Sequence, residues 1–401
     1  MLTFNEIGFL EDPVLKCAEI AVEHRASPLL FVGSSDSEVA GFIDATAELR
    51  FVLPAEGAVY NGARCATKRA HLAHLLADGR NIAIKSGLFN YFDGALLKAA
   101  WYNGYTLLSP GDAIVWADKI GAYSNENLEE AIRRKQLIAV AQDTFLLSPA
   151  HKDAYVLDKL GIPAHTHNGR LLTRLTANGH TALYWTPQLY LVYAFRRAHV
   201  VHPMPSASAL MAYLRVFGVP CGVEEGDREQ NRRLASLLRV VFEDRFNKRG
   251  EDDAAYSPRW YAHRQALEDV FRDMRNVLLY TEAGGEKRDL VAYTMPNETL
   301  RTVDESNIRP VFRGRGFPAA DCGGYASARV LCYCANPRFP AACAGYFRKN
   351  ETGFDQDAYA LTHMLRWISR SAVRNGDPVT VYVPSKRMRG LLGGWIKSQG
   401  G

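Results

Sequence analysis

Residues 27–38 read SPLLFVGSSDSE: an apolar run, a Gly-Ser turn, then the start of a helix. A loop that cradles a triphosphate there needs G-x-x-x-x-G-K-[ST]. Its glycines let backbone N–H groups approach the phosphates, and its Lys neutralises their charge. Here Gly33 is followed by Ser34, Ser35, Asp36, Ser37 and Glu38, with no Lys and two carboxylates. Asp36 and Glu38 beside a triphosphate would repel it. The turn therefore has the shape of a nucleotide loop without its chemistry.

Two groups of cations stand near the carboxyl end. Arg366, Arg370 and Arg374 are spaced by four, which places them on one face of a continuous helix beside Trp367. Lys386, Arg387 and Arg389 follow the apolar run PVTVYVPS and open a last helix. Cations at a helix start oppose its dipole, so a phosphate backbone held there is one reading and a solvated basic turn the other. Residues 301–401 carry 15 Lys and Arg against 7 Asp and Glu, while the preceding 300 carry 33 against 36. A polyanion contact is expected in that last quarter.

Other clusters lead to no chemistry. Cys322, Cys332, Cys334 and Cys343 are spaced C-x9-C-x-C-x8-C, which does not match the paired C-x2–4-C of a zinc site, and His363 does not complete one. His71 and His74 lack the Glu of H-E-x-x-H and are expected to pack or face solvent, and His165 and His167 have no acidic partner. No Ser or Cys sits in a G-x-S-x-G elbow. No metal and no cofactor is expected.

The elements that must position these residues follow from hydrophobic spacing. LLFVG, LRFVLP, NIAIK, YTLL, QLIAVAQ and TALYW read as buried strands, separated by helical patterns such as AHLAHLLADG and ALLKAAWYNG. That alternation predicts βαβ units and a parallel, doubly wound sheet, with LLFVG at its centre. Residues 206–275 are rich in helical patterns, and NVLLYT, DLVAYTMP, ARVLCYCAN and PVTVYVPS supply a second set of strands. The pattern 357–376 reads as one helix ending in Asn-Gly. With 401 residues, 47% hydrophobic and 23% charged, the chain has the composition of a globular protein of two ordinary domains. No apolar run reaches the roughly 18 residues of a membrane span. No secretory signal is expected at the start, and the seven scattered Cys fit a reducing compartment.

In this order, the pieces RFVLPAEG, GRNIAIKSGLF (79–89), GYTLLSPGDAIVW (104–116), ALYWTPQLYLVYAFRRAHVVHPM and residues 357–396 resemble a lineage of phage-type superfamily 2 helicases. The resemblance implies two RecA-like lobes, a phosphate loop after the first apolar strand and an Asp-Glu pair at the end of the Tyr-Thr-Leu strand. At that pair this chain has Ser109, Pro110 and Gly111, with Asp112 beyond a Pro-Gly that is expected to turn the chain. The resemblance also places Arg370 and Arg374 at the family's arginine motif, with Arg366 where a Gln is expected. Three readings of these arginines stay open: pairing with carboxylates across the lobes, contact with a nucleic-acid phosphate, and retained nucleotide binding.

The sequence thus predicts an α/β protein with a first RecA-like lobe at 1–205, a helical connection at 206–275 and a basic second lobe at 276–401. It is expected to be a helicase-like protein that has lost its ATPase residues and binds nucleic acid, DNA or RNA, or other proteins of a replication or virion complex. It is expected in the cytoplasm or the virion, neither secreted nor in a membrane. A shell or scaffold subunit reusing the fold, and an active ATPase with a divergent loop, are the alternatives.

Overall fold

A computed structural model describes residues 2–89, 92–111, 118–122, 125–141, 144–147, 171–177, 180–186, 193–241, 291–294, 308–310, 329–333, 337, 339, 341–383 and 385–400. Contacts divide the chain into two units: Met1–Ile7, Glu11–Gly226 and Phe339–Asp355 form one, and Gly8–Leu10, Asp227–Arg338 and Gln356–Gly401 the other.

The first unit begins with β1 (Leu2–Glu6), α1 (Pro13–Glu23), β2 (Leu29–Gly33) and α2 (Asp36–Ala45). A short hairpin, β3 (Val59–Tyr60) and β4 (Ala63–Arg64), precedes α3 (Lys68–Ala77), β5 (Ile82–Lys85), α4 (Ser86–Phe89), α5 (Gly94–Tyr102) and β6 (Thr106–Pro110). Then come β7 (Asp118–Ala122), α6 (Asn125–Arg133), β8 (Leu137–Ala141), β9 (Thr144–Leu147), β10 (Leu171–Ala177), β11 (His180–Thr186), β12 (Arg197–His202), α7 (Ala209–Val216) and β13 (Cys221–Glu224). Helix starts follow side-chain caps. Asp12, Ser35, Thr67 and Asp93 each accept a backbone N–H from the first turn of the helix that they open.

Six strands pair in parallel in the order β13-β1-β12-β6-β2-β5, the doubly wound sheet that the alternation predicts. On one face Phe31, Leu108 and Val201 pack with Cys17, Ile20 and Ala21 of α1 and with Phe42 of α2, whose ring stacks on Phe31 at 3.8 Å. The alternate residues Leu30, Val32, Ile82, Ile84 and Leu107 are buried too, so the sheet is covered on both sides. Three expectations change here. LLFVG is interior but next to the edge strand, not central. LRFVLP contributes only a bridge from Val52 to Ile82, because Arg50 turns left-handed just before it. QLIAVAQ and TALYW do form strands, but in a separate antiparallel sheet, β7-β11-β10-β9-β8, joined by hairpin-like pairings.

The second unit holds α8 (Arg228–Ser236), β14 (Leu238–Val241), β15 (Val291–Thr294), β16 (Ile308–Pro310) and β17 (Val330–Tyr333). After α9 (Ala341–Lys349), which groups with the first unit, come α10 (Gln356–Ile368), β18 (Val379–Tyr382) and α11 (Lys386–Ser398). Its five described strands are all parallel, in the order β14-β18-β17-β15-β16. Trp367, fully buried, meets Tyr333 at 5.5 Å beside that sheet. The apolar stripe of α8 does not continue as helix: its extension LRVV is β14, a β-branched run that gains backbone partners along β18. NVLLYT lies outside the described residues. No helix among the described residues is long and apolar enough to cross a membrane.

Candidate functional site

The Gly33 turn is satisfied internally. The Ser35 hydroxyl accepts the Glu38 N–H at 3.2 Å, and Ser37 Oγ lies 2.9 Å from it. Glu38 Oε2 in turn accepts both the N–H and the hydroxyl of Ser34, each at 2.7 Å. This reciprocal cap spends a carboxylate on the positive end of α2, where a phosphate would otherwise sit. Asp36 pairs with Lys85 Nζ at 2.9 Å from the end of β5 and is itself almost fully exposed. A phosphate arriving here would have to displace Glu38 and approach Asp36.

The strand order moves the expected crevice elsewhere. In an open parallel sheet a ligand binds outside the carboxyl ends of the strands, where the winding reverses. The chain leaves β1 toward β2 on one side and leaves β12 toward β13 on the other, so the reversal lies between the neighbours β1 and β12. The loop at that point is residues 7–12, IGFLED, whereas β6 separates the Gly33 turn from β12. The turn of Gly33, Ser34, Ser35, Asp36 and Ser37, expected as the nucleotide loop, thus lies away from that reversal. The relocated loop also lacks the chemistry: it has one glycine, no Lys, and Glu11 and Asp12. Asp12 caps α1 by accepting the Val14 N–H at 2.8 Å, and Pro13 has no N–H to offer. At the end of β1 the backbone of Gly226 presses on Glu6, where an added Cβ would lie 2.1 Å from the carbonyl oxygen. Within the second unit, the Phe9 N–H donates to Asn231 Oδ1 at 3.0 Å, and the Phe9 ring meets Trp395 edge-on at 6.0 Å.

The end of β6 refines a second expectation. β6 runs through Pro110, opposite Val201, and the turn comes at Gly111, whose N–H donates to Val201 O at 2.7 Å. Gly111 is held against His202, whose ring carbon would stand 2.4 Å from an added Cβ. Ser109, fully buried, donates its hydroxyl to Val32 O at 3.0 Å. A neutral hydroxyl tied to the neighbouring strand thus occupies the position at which the resemblance implies a metal-binding carboxylate. Asp112 lies outside the described residues.

In the second unit the three arginines do not share one helical face. The α-helix stops at Ile368 because Ser369 and Ser371 hydroxyls bond back to the carbonyls of Arg366 and Ile368, at 3.0 and 2.7 Å. Arg374 lies on a separate 3-10 turn that ends at Gly376 with φ +85°. Arg366 and Arg370 are half-buried and Arg374 is exposed. The basic turn is also divided in its roles. Arg387 holds Asp357 through Nε and Nη2, at 3.0 and 2.6 Å, and reaches the Pro337 and Gln356 carbonyls. Arg389 is 4% exposed and donates to Val383 O at 3.0 Å, while Lys386 is exposed. As a phosphate contact, Arg389 is therefore corrected to a core residue.

Among the remaining candidates, buried His71 accepts the Ala55 N–H at 3.0 Å, and His74 stacks on Tyr60. Cys343 is buried in α9, and Cys332 lies on β17 of the other unit. Cys322, Cys334, His165 and His167 lie outside the described residues. No group of three metal-ligating side chains forms among the described residues.

The sequence reading missed a polar chain within the first unit. His199 lies against His24 with ring centres 4.9 Å apart, its Nδ1 is 3.1 Å from Asn5 Oδ1, and Asn5 donates to Glu224 at 2.6 Å. Burial, then His24 and Arg197, holds the His199 imidazole at a pKa of about 4. Burial followed by Arg197 also lowers that of His24. The His beside the Val pair of a buried strand was the signal available in HVVHPMP.

Two sequence relations and one structural relation bear on this arrangement. Residues 232–396 match the profile of the YonV C-terminal Rossmann-like domain. The SPbeta prophage-derived uncharacterized protein YonV of Bacillus subtilis (strain 168) is 30% identical over 173 residues, 40% of this chain and 38% of that protein. The match thus spans well under half of the curated relative. Among solved structures, an XPD helicase superposes with a TM-score of 0.51 over 98% of this chain and 94% of its own, at 10% identity. The fold is helicase-like. A prophage-derived relative accompanies that fold, as the phage-type resemblance implied.

Proposed function

We propose that this chain is a helicase-like protein of a virus or mobile element that has given up nucleotide hydrolysis and uses its fold to hold nucleic acid in a replication or virion complex. One observation carries the reading. At both strand ends considered for the triphosphate, after β1 and after β2, the chain's own side chains cap the helix that follows. Asp12 accepts the Val14 N–H, Ser35 the Glu38 N–H and Glu38 the Ser34 N–H. Neither loop holds a Lys, and Lys16 inside α1 is paired with Glu19. Phosphoryl transfer depends on positioning and charge stabilisation. Removing the Lys, its hydroxyl partner and the metal-binding carboxylates removes both. The prophage relative supports the viral setting, and a pI near 8.7 supports a polyanionic partner.

The test pairs ATP turnover with a salt titration of nucleic-acid binding on the intact protein. The expected result is binding that weakens with salt, about −0.9 in log–log slope per phosphate contact on duplex, with no turnover above background. Turnover stimulated by nucleic acid would replace this reading with that of a working motor. Absence of any binding at low salt would favour an assembly subunit.

A further inference from the structure

The clearest unexplained surface lies on the first unit, on the outer side of α3, α5 and the β3–β4 hairpin. Trp101 and Tyr102, in the last turn of α5, are 60% and 67% exposed. The end of α5 is tied to the end of α3 by Asn103, whose side chain donates to the Leu76 and Ala77 carbonyls at 2.9 and 3.2 Å. On that same last turn of α3, Tyr60 stacks on His74 with ring centres 5.4 Å apart and planes within 17°. Its hydroxyl bonds Asp78. The two aromatic groups are thus both fixed to one turn of backbone.

The rings are not equivalent. Lys98 lies over the Tyr102 ring at 5.5 Å, covering one face, and Trp101 stands edge-on to Tyr102 at 71°. Trp101 and the side of Tyr60 turned away from His74 are therefore the platforms. The surrounding charge is basic: residues 56–104 hold six Lys and Arg against three Asp and Glu. Of those acids, Asp93 is already paired with Arg69 and Asp78 is bonded by Tyr60. Arg64, Lys68, Arg80 and Lys98 are exposed.

We propose that this face binds single-stranded nucleic acid, with bases stacked on Trp101 and Tyr60 and the backbone held by Lys98 and Arg80. Fixed aromatic rings among cations are the arrangement that binds single strands without sequence preference. A protein partner would call for a charge-depleted apolar centre, and the one large aliphatic side chain exposed between residues 56 and 104 is Val59. The inference rests on the nucleic-acid reading above and gives it a location that the last-quarter charge balance does not. This face lies at the amino-terminal edge of the sheet, since α5 ends just before β6 begins.

The experiment uses the intact protein and a labelled oligothymidylate of about 20 nucleotides, followed by anisotropy at low salt. Trp101→Ala should raise Kd roughly 5- to 100-fold, and Trp101→Phe should restore most of that loss. The double variant Lys98→Ala, Arg80→Ala should flatten the salt slope by about 0.7 per lost contact. Circular dichroism on each variant establishes that the fold is retained. If the parent binds and Trp101→Ala binds equally well, this location is wrong and the nucleic-acid reading stands. If the parent does not bind at low salt, the nucleic-acid reading fails and this inference with it. If Trp101→Ala instead dissolves a dimer seen in sedimentation, the face is a self-interface and the inference is overturned.

Discussion

Lowering the pH should weaken the first unit through one buried imidazole. Asn5 donates to Glu224, so its Oδ1 faces His199 and places the single ring proton on Nδ1. The opposite nitrogen, Nε2, is buried with no hydrogen-bond partner among the described residues, so none of them would accept a second proton there. His24 lies beside it, and Arg197 Nη1 lies 2.9 Å from His24 Nδ1. His199 accordingly stays neutral down to a pKa of about 4, against 6.5 when unfolded. In that window the unfolded chain binds the extra proton and the folded chain does not, so stability rises with pH and is lost as pH falls from 6.5 toward 4. Between about pH 7.5 and pH 5 the loss works out at about 2 kcal/mol from His199 alone, with His24 adding in the same direction. Urea unfolding of the parent and of His199→Gln at the two pH values measures it. The variant should start less stable and lose about 2 kcal/mol less on acidification. Equal losses in parent and variant would refute the assignment.

Backbone contacts give further predictions. Gly226→Ala puts a Cβ 2.1 Å from the Glu6 carbonyl oxygen, against the backbone of Glu6 and Ile7, and should cost about 3 kcal/mol or more, read as a fall in Tm. Gly41→Ala, in α2 with nothing within 4 Å of its Cβ, should stabilise by roughly 0.5–1 kcal/mol in the same assay. Arg389→Ala should destabilise by about 1–3 kcal/mol because it removes a buried donor to Val383 O, whereas Lys386→Ala should stay within about 0.5 kcal/mol. The reverse ranking in denaturant midpoints would contradict the burial of Arg389.

The apolar runs identified strands well: LLFVG, NIAIK, YTLL and PVTVYVPS all lie in parallel sheets, because buried β-branched and aliphatic runs have few other places to go. What the runs do not encode is order in space. LLFVG reads as the nucleotide strand because it comes before a Gly-Ser turn, yet LTFNE is the strand at the reversal of winding, and nothing local distinguishes them. For the same reason LIAVA and TALYW could not be separated from parallel strands, since direction is set by the pairing partner. The arginine row failed through Ser369 and Ser371, whose hydroxyls end a helix that spacing alone would continue. The exposed pair Trp101 and Tyr102 was visible in ALLKAAWYNG, but an apolar stripe and two exposed rings look alike until the neighbouring helix is in place. The absence of a Lys within either candidate loop was legible throughout, because it depends on composition and not on arrangement.

Carboxylates, not phosphates, occupy the amino-terminal ends of α1 and α2. Isothermal titration of the intact protein with Mg-ATP tests it most directly. No saturable heat is expected up to millimolar ligand, where a functional loop would bind at micromolar concentration or tighter. A clear micromolar isotherm would contradict it.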